Sequence, residues 1–117
     1  MQNELKVTKN FREIRLQVAR LYIAVRRPSD GYIYTSGRPE RDLALEMLMP
    51  IIKELTRVIA VQCDDDEYIE SVYYDVKDAV SFVKDIMLMD KTIAERVEAI
   101  LNLIDVFTEK GEMKNGK

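Results

Sequence analysis

Apolar residues recur along this chain at alternating steps of three and four, in four separate runs. The first is Val7, Phe11, Ile14, Val18, Leu21, Val25, and the second is Ala44, Leu48, Ile51, Leu55, Val58. The third is Ile69, Val72, Val76, Ala79, Val83, Ile86, and the fourth is Ile93, Val97, Ile100, Ile104, Phe107. Such steps hold a stripe on one side of a 3.6-residue helix, so each run predicts an amphipathic helix that buries one face. At the stripe centres, Ile14, Val18, Leu48, Leu55, Val76, Val83, Ile100 and Ile104 are expected to form the shared core.

The residues between the runs agree with four helices. Pro28-Ser29-Asp30-Gly31 is expected to stop the first, since proline brings no amide donor and glycine frees the turn. Asp64, Asp65, Asp66 and Glu67 precede the third, where carboxylates cap free amides and match the helix dipole. Thr92 and Glu95 fit a capping box opening the fourth, and Gly111 fits its stop. The breaks at 62–65 and 89–92 are short, which predicts antiparallel neighbours. Pro50, inside the second run, removes one hydrogen bond and crowds the carbonyl of Glu46, so a kink is expected there. The expected fold is all-α: a single antiparallel four-helix bundle with a Pro-kinked second helix. Residues 1–111 form that domain and 112–117 a frayed tail.

Composition narrows the chemistry. Among 117 residues there is no histidine, which removes the usual general base and the commonest metal ligand together. The single cysteine, Cys63, has no internal partner for a disulfide, and three aspartates follow it, which disfavours a thiolate. No run approaches the roughly 18 apolar residues of a membrane span, and the polar start Met1-Gln2-Asn3-Glu4 lacks a signal-peptide core. A cytoplasmic protein with no membrane partner is expected. The glycines at 31, 37, 111 and 116 fall in no phosphate-binding loop, and no cofactor is predicted.

Glu67-x-x-Glu70 and Glu95-x-x-Glu98 resemble the paired acidic motifs of all-α nucleotide pyrophosphohydrolases, which bind Mg²⁺. At about 100° per residue, Glu67 and Glu70 fall roughly 160° and 100° from Ile69, and Glu95 and Glu98 roughly 160° and 140° from Ile93. These directions point mainly to solvent, whereas a metal site would aim them into the bundle. A Mg-dependent nucleotide hydrolase is therefore the third reading of this chain.

Charge supplies the first two. Net charge is -3, yet residues 1–57 carry eleven Lys/Arg against seven Asp/Glu, and residues 58–117 carry seven against fourteen. Opposite its stripe, the first helix has Leu16, Ala19 and Ile23 among Arg12, Arg15, Arg20, Arg26 and Arg27. Far from the stripe of the third, Phe82 and Met89 lie among Asp75, Asp78 and Asp85. Apolar residues set in opposite charges fit a contact between proteins, giving both affinity and register. The first reading is a non-enzymatic interaction protein that self-associates or serves as a small subunit of a larger assembly. Arg12, Leu16, Ala19, Ile23, Arg27, Asp75, Asp78, Phe82 and Met89 would form its interface. Its partner would be another copy or another protein, and the two faces could also meet within one chain if the bundle were skewed. The second reading is a nucleic-acid-binding module. Arg20, Arg26 and Arg38 would neutralise phosphates there, and Tyr32 and Tyr34 would stack on bases. Alternatively, Tyr32 and Tyr34 fold back to cap the open end of the bundle.

Overall fold

A computed structural model describes residues 2–26, 38–88 and 90–108, with side chains from Val7 in the first segment and from Glu40 in the second. Its helices are α1 (Gln2–Arg26), α2 (Arg38–Val61), α3 (Asp66–Ile86) and α4 (Lys91–Phe107). α1 packs chiefly on α2 and α4, and α3 packs chiefly on the same two. The helices thus form a four-cornered bundle with α1 and α3 on one diagonal.

Two links are too short for anything but a reversal. Gln62–Asp65 joins α2 to α3, and Met87–Asp90 joins α3 to α4. Four residues reach at most about 14 Å, whereas a parallel return along α3 would need roughly 30 Å. Ion pairs record the reversal between α3 and α4. Lys84 meets Glu98, and Lys77 meets Asp105 at 3.7 Å, so later residues of one helix face earlier residues of the other.

The four stripes supply the core. Phe11, Ile14, Val18, Leu21 and Val25 of α1 are fully buried, as are Ala44, Leu48 and Leu55 of α2. Val76, Val83, Val97 and Ile100 are equally enclosed, and Ile104 nearly so. All eight residues expected at the stripe centres are in this core. Val7, Ile51, Ile86 and Phe107 sit at its edge, partly buried. Tyr73 and Val80 of α3 are buried as well; with Ile69, Val76 and Val83 they form a second run of fours and threes beside the one through Val72 and Ala79. Tyr73 packs on Phe11 with ring centroids 4.9 Å apart and planes tilted by 36°, an aromatic contact across the α1–α3 diagonal.

The helix ends follow local chemistry. Asp65 has extended backbone, and its carboxylate accepts from the amides of Glu67 at 3.1 Å and Tyr68 at 3.3 Å. Of the four acidic residues there, this one is the cap. Asp66 and Glu67 then lie in the first turn, against the positive end of the dipole. Asp65→Ala should lower stability by about 1 kcal/mol in denaturant unfolding, because two helix-start amides lose their acceptor. A change near zero would show that solvent satisfies those amides as well as the carboxylate does.

The capping box expected at Thr92 and Glu95 is not what opens α4. Asp90 is the cap, and its carboxylate accepts from the Ile93 amide at 3.1 Å. The helix begins two residues earlier than the box required, which leaves Thr92 inside the first turn. A charged acceptor at this position outcompetes a hydroxyl. α2 ends without glycine. Gln62 takes φ 51°, and bonds from Gln62 N to Ile59 O at 3.2 Å and from Cys63 N to Val58 O at 3.4 Å close the turn in the Schellman pattern. Pro50 lies inside α2 on its exposed side, with helix before and after it. The stop at Pro28–Gly31, the Tyr32–Tyr34 segment, Gly111 and the tail 112–117 lie outside the described residues. No helix of the described residues is long and apolar enough to cross a membrane.

Candidate protein interaction surfaces

The side of α1 opposite its core stripe is left exposed among the described residues. Leu16 is 45% exposed there and Ile23 58%, while Ala19 is half-buried. Arg12, Arg20 and Arg26 are exposed around them, and so is Lys9, one turn before Arg12. A helical wheel puts Lys9, Arg12, Arg20 and Ile23 within about 40° of Leu16. This face is therefore a row of cations with two aliphatic side chains set into it. Glu13 lies at its margin and accepts from Gln17 Nε2 at 3.1 Å.

Arg15 does not belong to that row. Its Nε donates to Thr56 Oγ1 of α2 at 2.7 Å, and the Thr56 hydroxyl donates in turn to the Ile52 carbonyl at 2.8 Å. Counted on the wheel, Arg15 stands about 100° from Leu16, at the seam with α2. The sequence grouped it with the other arginines by residue type. Its direction separates it from them.

On the diagonal helix, Phe82 is 40% exposed, with Asp75, Asp78 and Asp85 exposed around it. Tyr74, at 55%, extends the patch along α3. The sequence reading missed Tyr74. The available signal was its place four residues before Asp78, which puts the two on one side of the helix.

Among the described residues, neither face spends its charge in an ion pair. The ion pairs among the described residues are Arg57–Glu54, Lys77–Asp105 and Lys84–Glu98. None of Arg12, Arg20, Arg26, Asp75, Asp78 and Asp85 takes part in them. Nor do the faces meet within the chain: each points outward from its own corner of the bundle, and their apolar residues remain exposed. The idea of a skewed bundle that joins them internally is thereby excluded. Of the other residues assigned to these surfaces, Arg27, Met89, Tyr32 and Tyr34 lie outside the described residues. Arg38 begins α2, with its side chain undescribed.

The acidic pairs sit elsewhere. Glu67, Glu95 and Glu98 are exposed and Glu70 is half-buried, with Glu98 held by Lys84. Among the described residues, no three acidic or cysteine side chains are grouped so as to hold a metal ion. Cys63 is half-buried beside the α2–α3 turn. That turn is also pinned by Arg57, which reaches the Tyr68 hydroxyl and lies 5.4 Å from the Tyr68 ring centroid. Among the described residues, the remaining large exposed apolar residues are Leu43 and Val61 in α2, Leu88 between α3 and α4, and Val106 in α4, so they are spread over the surface. No family model, curated protein or solved structure matches this chain, and the case for what it does rests on its two charged faces.

Proposed function

We propose that this is a non-enzymatic interaction protein that self-associates or joins a larger assembly through the outer faces of α1 and α3. One observation carries the reading. Exposed apolar side chains on two diagonal helices are each set among charges of a single dominant sign, and those charges have no ion-pair partner among the described residues. Covering such side chains removes apolar surface from water, and flanking charges of unlike sign steer the faces together. We also place the protein in the cytoplasm, since Cys63 has no second cysteine to pair with.

A second reading uses the same basic row. Exposed Arg12, Arg20 and Arg26 could neutralise phosphates, joined by Arg38 and by Tyr32 and Tyr34 as stacking groups. Leu16 and Ile23 favour a protein partner, because aliphatic side chains amid the cations gain nothing from a phosphate backbone. Light scattering at low and high salt, with and without short single- and double-stranded oligonucleotides, separates the two. Self-association predicts a mass above that of the monomer at low salt, which falls as salt screens the charges and does not respond to oligonucleotide. A monomer at high micromolar concentration in low salt would contradict it, and a salt-sensitive complex with oligonucleotide would favour the second reading. Mg²⁺-dependent nucleotide hydrolysis that is lost on changing Glu67, Glu70, Glu95 and Glu98 to Gln would overturn the non-enzymatic reading itself.

A further inference from the structure

We infer that the partner of the α1 face is the α3 face of a second copy of this chain, that the helices dock antiparallel with Leu16 over Phe82, and that assembly continues past the dimer. This rests on the reading of the two faces as contact surfaces and adds the occupant, the register and the direction.

The register comes from matched spacing. Arg12 and Arg20 stand four residues to either side of Leu16. Asp78 stands four residues before Phe82, and Asp85 three after it. At 1.5 Å per residue, setting Phe82 on Leu16 brings each arginine to within about 1.5 Å, along the axis, of the level of an aspartate. Arginine and aspartate side chains are long enough to close the remaining lateral gap.

The direction comes from the second apolar residue. Ile23 lies seven residues after Leu16. In a parallel docking it would fall level with Met89, three residues past the end of α3 at Ile86 and outside the described residues. In an antiparallel docking it falls level with Asp75 and beside Tyr74, which is 55% exposed. Both aliphatic residues of the basic face then meet an aromatic one, while Arg20 is set at the level of Asp78 and Arg12 near Asp85.

Like-with-like pairing is disfavoured, because it sets Arg12, Arg20 and Arg26 against themselves, or three aspartates against three. A closed two-fold dimer that joins unlike faces would need both on one side of the protomer. α1 and α3 occupy opposite corners, so a single partner cannot cover both. Each added copy leaves one face of each sign free, and growth proceeds until a ring closes or a filament forms.

Disulfide trapping tests this with the full chain in a Cys63→Ser background. The variants are Leu16→Cys with Phe82→Cys, Ile23→Cys with Tyr74→Cys, and each cysteine alone. After mild oxidation at low salt, both double variants should give a ladder of dimer, trimer and higher bands on non-reducing gels, while single variants stay monomeric. Mixing the two single variants of a pair should give dimers only. A strong dimer band from Leu16→Cys alone would overturn the pairing of unlike faces. Ladders from the first pair without the second would overturn the antiparallel direction. No ladder from either pair, in a protein that scattering shows to be assembled, would overturn this register and leave the broader reading standing. A scattering monomer with no ladder would overturn both. Circular dichroism of each variant confirms that the helices are kept, as expected for exposed positions.

Discussion

Leu55→Ala should lower the free energy of unfolding by about 2–5 kcal/mol. Leu55 is fully buried in α2, the helix that packs against both α1 and α3. Truncation removes apolar atoms from the centre of the bundle and leaves a cavity that the flanking helices, held by their own contacts, fill only in part. For a domain of this size, a urea slope of about 1–2 kcal/mol per molar converts that loss into a midpoint lowered by roughly 1–5 M. Leu16→Ala, measured at high salt to keep the chain monomeric, is the control. Leu16 is 45% exposed in the monomer, and its truncation should change stability by only about 0.5 kcal/mol. A change near zero at Leu55, or equal changes at the two leucines, would mean that the helix faces are wrongly assigned.

The double change Ile23→Ser with Phe82→Ser should produce the opposite result, a folded protein of smaller mass. Ile23 is 58% exposed and Phe82 40%, so each keeps a substantial apolar area that only a partner can cover. Taken as the exposed fraction of the roughly 1.5–3 kcal/mol for burying such a side chain fully, covering that remainder is worth about 1 kcal/mol for each. Losing both, at about 2 kcal/mol, weakens association roughly 30-fold. Serine is a moderate helix former and neither site is in the core, so the helical signal should survive. Sedimentation at a concentration where the wild-type chain is assembled reads the outcome. An unchanged mass would place the contact elsewhere on the surface.

The fold was legible because its signals are periodic and redundant. Each stripe repeats the same instruction five or six times, so one misread residue does not move the face. Tyr73 and Val80 escaped that reading because two three-and-four runs share Ile69, Val76 and Val83, only the one through Val72 and Ala79 was followed, and α3 buries the arc of both. The cap of α4 was misplaced for a different reason. Thr92 with Glu95 and Asp90 with the Ile93 amide are both sound starts, two residues apart, and the pattern alone does not rank them. Strength of the acceptor does. Arg15 shows the limit for surfaces. Sequence places it beside four other arginines, yet its fate is decided by Thr56, 41 residues away, and long-range partners leave no local trace. Tyr74 was overlooked because tyrosine is common on both buried and exposed faces, although spacing puts Tyr73 on the side of Ile69 and Val76 and Tyr74 on the side of Asp78.

The most direct test is a charge-reversal mixing experiment. One variant carries Arg12→Asp and Arg20→Asp, so that both of its faces are acidic. The other carries Asp78→Arg and Asp85→Arg, so that both of its faces are basic. Measured alone by sedimentation at low salt, each should be monomeric, because like charges oppose every available contact. Mixed in equal amounts, they should assemble again, since the reversed α1 of one now faces the reversed α3 of the other and the two unreversed faces also match. Failure of the mixture to assemble, or assembly of either variant alone as readily as the wild-type chain, would contradict the account.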